Sequence, residues 1–84
     1  MKPIRLTKHA REQSIERGAT EAEIIAAIRK GAREPAKHGR EIFRFNFSFG
    51  KKWQEKFYAI KQVAPVVKEE NNEIVVITVY TFYF

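Results

Sequence analysis

The chain has 84 residues, no cysteine, and a formal net charge of +6 with a pI near 9.8. That length holds one domain and one core, in which only about 60% of the unfolded surface can be buried. The composition excludes disulfides and Cys-based zinc sites, and its excess of cations favours nucleic acid or an acidic protein over a neutral small molecule.

The N-terminal residues run into a polar helix with no apolar signal region, and no stretch approaches the roughly 18 apolar residues of a membrane span. A cytoplasmic protein without membrane association is therefore expected, and the absence of Cys suits a reducing compartment. Thr7 is placed to N-cap a first helix over residues 8–17, stopped by Gly18. Thr20-Glu21-Ala22-Glu23 forms a capping box for a second helix, in which Ile24, Ile25 and Ile28 share one face before Gly31. Only Gly18 and Ala19 separate the helices, which predicts a tight αα corner.

Regular spacing is lost between Ala32 and Arg40, where Pro35, Gly39 and charged residues indicate a connection with a short edge strand around residues 33–36. The period then becomes two. Phe43, Phe45, Phe47 and Phe49 alternate with Arg44, Asn46 and Ser48, as in a half-buried strand. Gly50-Lys51-Lys52 reads as a turn, and Trp53–Val67 as a second long strand, bent or bulged near Pro65. A loop over residues 69–73 leads to a third strand from Ile74 to Tyr83, rich in β-branched and aromatic side chains. All seven Phe, three Tyr and the single Trp lie from Phe43 onward, so rings must supply much of the core. The expected fold is a single α+β domain over residues 1–84. Two helices cover one face of a three- to four-stranded antiparallel sheet.

The first helix carries the residues of most chemical interest. With His9 at 0°, Gln13 falls at about 40° and Arg17 at about 80°, close to the directions of Leu6 and Ala10. Arg17 thus points with the apolar stripe, and His9 lies at its edge. A cation aimed at the body needs an anion, a group of carbonyls, or a ligand. One reading has Arg17 capping backbone carbonyls and His9 making a local hydrogen bond. The other has His9 moving a proton and Arg17 stabilising phosphate charge.

On the third strand, Thr78 and Tyr80 share one face with Val76 and Phe82, while Val75, Ile77 and Val79 share the other. With those three under the helices, Thr78 and Tyr80 face the open side, joined there by Arg44, Asn46 and Ser48. In a regular register Lys56 and Tyr58 join them too. Such a face suits a phosphate backbone and unpaired bases, with Lys51 and Lys52 at the turn as further contacts; the competing reading is a solvated outer face. Helix residues can meet Thr78 or Tyr80 only at an edge or end of the sheet.

His9 and His38 without Cys or a spaced acidic cluster do not make a metal site. The four glycines form no phosphate loop, so no cofactor is expected. Chemistry here would be acid–base work without a metal, as in RNA cleavage, where the 2′-hydroxyl is the nucleophile. The aromatic end Thr81-Phe82-Tyr83-Phe84 either completes the core or offers a strand edge to a partner, such as a second copy.

The opening LTKHAREQSIERGATEAEIIAAIRKG and the closing NNEIVVITVYTFYF resemble the two ends of a small bacterial family of unknown function. That family is similar to the RelE, ParE and BrnT toxins of toxin–antitoxin pairs, within the barnase–EndoU–colicin–RelE grouping. The resemblance implies a RelE-like two-helix-plus-sheet fold, RNA as substrate, metal-independent ribonuclease activity, and an antitoxin protein as partner. His9, Arg17, Thr78 and Tyr80 occupy the family's motif positions and are the candidate catalytic residues. The chain departs from the RelE pattern in having no basic cluster at its C-terminus, its last cation being Lys68. The non-catalytic alternative is an RNA- or protein-binding module, since fold likeness alone does not fix activity.

Overall fold

The computed structural model describes residues 2–84. Its elements are β1 (Ile4–Leu6), α1 (Lys8–Arg17), α2 (Glu21–Lys30), β2 (Ala32–Ala36), β3 (Arg40–Trp53), β4 (Lys56–Glu69) and β5 (Ile74–Tyr83), with one 3₁₀ turn at Lys37–Gly39. The fold is α+β, as expected. The sheet, however, has five strands in the order β1-β5-β4-β3-β2 and is mixed.

The added strand is β1, which pairs parallel with β5 through Ile4 and Ile74, Arg5 and Val75, and Leu6 and Val76. Three residues are too few to show a period of two, and their partner lies at the opposite end of the chain. The remaining pairs are antiparallel, including the short edge strand β2.

Both helices begin at the expected caps. Thr7 is extended and its hydroxyl accepts from the Ala10 N–H at 3.1 Å. Around Thr20 the capping box is complete in both directions, satisfying two amides that the helix itself leaves free. Gly18 stops α1 in the left-handed region at φ 77°, a conformation that costs a residue with a Cβ.

The β3–β4 turn lies at Gln54–Glu55, not at Gly50–Lys52. Both turn residues have positive φ, at 50° and 70°. Gly50, at φ 61°, instead sits where the β3–β4 register slips between Ser48 and Lys51. A second slip, between Val66 and Val67, lies beside Pro65, where a bend was expected. It leaves Ile77 between Val76 and Thr78 without a partner. The strict alternation of Val75, Ile77 and Val79 therefore fails: Val76 and Val79 both enter the core, and Val75 moves to the opposite face.

Leu6, Ala10, Ala19, Ile24 and Ile28 pack on Val63, Val67, Val76 and Val79, with Phe43 and Phe47 at the margin. Both helices therefore cover one sheet face. Lys61 is buried beneath the αα corner, where its ammonium donates to the Gly18 carbonyl and to Glu23, each at 2.9 Å. Burial alone would raise the Glu23 carboxyl. The hydrogen bonds and charge of Lys61, with the Thr20 amide, outweigh burial and hold it below the ordinary glutamate value.

Candidate functional site

Because β1 pairs only with Ile74–Val76, the outer edge of β5 beyond Val76 carries no strand. Helix α1 runs beside that edge. Thr7 begins the approach, donating its N–H to the Val76 carbonyl at 3.1 Å. At the other end of the helix, Arg17 Nη1 donates to the Val79 carbonyl at 2.8 Å. The Arg17 carbonyl, an orphan acceptor of the last turn, accepts from Thr81 Oγ1 at 2.9 Å and from Tyr83 Oη at 2.7 Å. Strand and helix end thus fix Arg17 through both its backbone and its side chain.

This edge brings the four motif residues together. Thr78 Oγ1 lies 3.4 Å from His9 Nε2, and the Arg17 guanidinium lies 5.2 Å from the centroid of the Tyr80 ring. His9 and Arg17 stand eight residues apart, about 12 Å along the helix axis. Their partners are two residues apart on one strand face, about 7 Å. The side chains therefore converge towards β5. Arg17 does cap a strand carbonyl, but one guanidinium nitrogen suffices for that. Among the described residues no carboxylate pairs with Arg17, whereas Arg5, Arg11 and Arg33 each have one.

The site continues across the sheet face that the helices leave open. Phe82 follows Tyr80, with ring centroids 6.4 Å apart and planes inclined by 22°. Arg44 reaches across from β3 to lie 5.7 Å from the Phe82 ring. It also contacts Glu34 at 3.3 Å and donates to Gln62 Oε1 at 3.2 Å, while Gln62 Nε2 donates to Asn46 Oδ1 at 2.9 Å. In the register of the sheet, Asn46, Gln62 and Phe82 stand in one row. The result is a band of two arginines, two half-exposed rings and two amides.

Arg44, Asn46, Thr78 and Tyr80 lie on the expected face, and Ser48 is exposed along the same strand. Tyr58, Lys56, Lys51 and Lys52 do not join the band. The register slip at Gly50 turns the end of the hairpin, and Tyr58 packs 5.6 Å from Tyr83 in a cluster with Phe49 and Trp53. Lys51 and Lys56 lie over the rings of Phe49 and Tyr58. Lys52 is exposed near the hairpin tip. Burial pushes the Tyr83 phenol above its ordinary value, against the nearby Thr81 hydroxyl and with some help from the charge of Glu23.

Of the band's members, Gln62 is not singled out by the sequence, and Phe82 is placed on the face of Thr78 and Tyr80 without being a candidate site residue. For Phe82 the signal was present, since positions 78, 80 and 82 alternate on one face. Gln62 required the cross-strand register. Elsewhere, a cavity of about 290 Å³ lies at the αα corner, lined by Leu6, Ser14, Ile15 and Ala19 among others, on the helical side away from this band. No three His, Cys, Asp or Glu side chains gather as metal ligands among the described residues, and no helix is long and apolar enough to cross a membrane.

Fold and site together define a small basic α+β domain in which a helix closes on an open strand edge and brings a histidine and an arginine to an aromatic sheet face. The chain belongs to the family described as Domain of unknown function (DUF4258), whose model matches residues 6–81. Neither the curated proteins nor the solved structures contain a match.

Proposed function

We propose that the protein binds RNA on the open sheet face and cleaves it, without a metal, at the His9–Arg17 end of β5, as a toxin-like ribonuclease. The reading rests on one observation: Arg17, with no carboxylate partner, is fixed over Tyr80 beside the His9–Thr78 pair. A net charge of +6 supports it, as does the likeness to RelE- and BrnT-type toxins of the family whose end motifs the chain carries.

The chemistry is transphosphorylation. The 2′-oxygen attacks the adjacent phosphorus, its proton passes to His9, and the P–O5′ bond breaks to leave a 2′,3′-cyclic phosphate and a 5′-hydroxyl. The leaving oxygen takes up a proton. Arg17 stabilises the extra charge on the phosphate in the transition state. Thr78 holds the imidazole towards the strand, and Tyr80 supports the guanidinium and offers its ring to a base. Incubation of RNA in excess chelator tests this. Products ending in cyclic phosphate are expected, and they should vanish in His9→Ala and Arg17→Ala while circular dichroism stays unchanged. Intact RNA at high protein concentration over long incubation would overturn the cleavage reading.

The strand-free outer edge of β5 favours a second reading. Phe84 and Ile60 exchange both backbone hydrogen bonds, so Thr81 and Tyr83 direct theirs away from β4. An antitoxin protein or a second copy could add a strand there. Size-exclusion chromatography of the full chain and of a chain lacking Tyr83 and Phe84 distinguishes this use of the edge from a monomeric RNA-cleaving domain.

A further inference from the structure

We propose that Tyr80 and Phe82 form a slot for one unpaired base with a carbonyl at the O4 or O6 position, uracil or guanine, and that this slot sets the register and base preference of the bound strand. The inference rests on the RNA reading above and specifies its substrate.

The first ground is spacing. The two rings are inclined by only 22°, with centroids 6.4 Å apart, and they are 42% and 43% exposed. A planar base inserted between two rings needs about 7 Å, twice the carbon–carbon contact distance of about 3.5 Å. The centroid separation is of that order, so the two near-parallel rings need only part to admit it. Other ring pairs in the protein do not offer this. Trp53 and Tyr83 are already stacked at 5.0 Å against the αα corner, and Phe45 and Phe47 meet at 75°. A duplex cannot use such a slot, because its bases are stacked on each other; a single strand can.

The second ground is hydrogen-bond polarity. Arginine only donates, so Arg44 must meet the Gln62 oxygen, which turns the Gln62 amide nitrogen towards Asn46 and occupies the Asn46 oxygen. The Asn46 amide nitrogen donates to no protein group among the described residues. Arg17 at Tyr80 also only donates. Arg44 engages both the Glu34 carboxylate and the Gln62 oxygen, so the polar groups left open around the slot are donors, and the O4 or O6 edge of a base fits them. Where uracil carries O4 and guanine O6, cytosine and adenine carry an amino group, donor against donor.

Phosphate is also an acceptor, so the test holds the backbone constant. Binding of fluorescent eight-nucleotide oligoribonucleotides of U, C or A to the His9→Ala protein, which leaves both rings in place, is measured by anisotropy. Oligo-U is expected to bind at least fivefold more tightly than oligo-C or oligo-A. Phe82→Leu should weaken oligo-U binding by roughly tenfold and flatten the preference. Phe57→Leu, which changes an exposed ring on the hairpin, should leave both unchanged. Equal binding of all three oligonucleotides, or binding indifferent to Phe82→Leu, overturns the slot but leaves RNA binding standing. Failure to bind any of them overturns both.

Discussion

Replacing Gly18 by alanine probes the junction on which the position of Arg17 depends. The backbone there is left-handed at φ 77°, which costs an L-residue about 1–2 kcal/mol. A Cβ would also stand 2.6 Å from Tyr83 Oη and 2.8 Å from two atoms of the Trp53 ring. Neither group can retreat freely, because Tyr83 donates to the Arg17 carbonyl and Trp53 is stacked on Tyr83. Overpacking of this kind costs about 1–3 kcal/mol. The total of roughly 2–5 kcal/mol predicts a fall in melting temperature of about 10–30 °C for a domain of this size. Gly50→Ala is the matched control. It has φ 61°, but its Cβ meets nothing within 4 Å, so only the backbone term of about 1–2 kcal/mol applies. Thermal and urea unfolding followed by Trp53 fluorescence and circular dichroism would compare them. If Gly18→Ala proves no more costly than Gly50→Ala, the aromatic seal does not hold the corner as described.

Further outcomes follow from the core and the buried ion pair. Ile24→Ala, at a fully buried position, should cost about 2–5 kcal/mol in urea unfolding, whereas Ile15→Ala, at a position 80% exposed, should cost almost nothing. Glu23→Gln keeps an amide oxygen for Lys61 but leaves the buried ammonium without its counter-charge, and should cost roughly 2–3 kcal/mol at neutral pH. The folded Glu23 carboxyl lies below its unfolded value of about 4.3, so its contribution is complete above that value and is lost as pH falls through the folded pKa. The stability gap between wild type and Glu23→Gln should therefore close in acid. Tyr83→Phe keeps the ring stack but loses the bond to the Arg17 carbonyl, and should cost about 1 kcal/mol with a measurable loss of RNA binding.

The helices were legible because their ends carry their own chemistry. Thr7, Gly18 and the Thr20–Glu23 box act within a few residues of themselves. The sheet was less so, since its irregularities depend on partners. Gly50 looks like a turn residue but serves a register slip, while the actual turn uses Gln54 and Glu55, which carry no such mark. The slip at Val66–Val67 changes which face Val75 and Val76 occupy. Thr78 and Tyr80 lie beyond it and keep the face expected of them. The four candidate residues are legible one by one and not as a place: on helical spacing alone Arg17 points with the apolar stripe, and His9, which is exposed, lies at its edge. That they meet Thr78 and Tyr80 follows from β1 ending at Leu6, which leaves the β5 edge to the helix.

A nuclear magnetic resonance titration of the His9→Ala protein with a short single-stranded RNA tests the central claim most directly. Shifts should concentrate at Arg17, Thr78, Tyr80, Phe82 and Arg44, with the Ile15 side of α1 unmoved. An unchanged spectrum, or shifts confined to the helical face or the Lys51–Lys56 hairpin, would contradict the account.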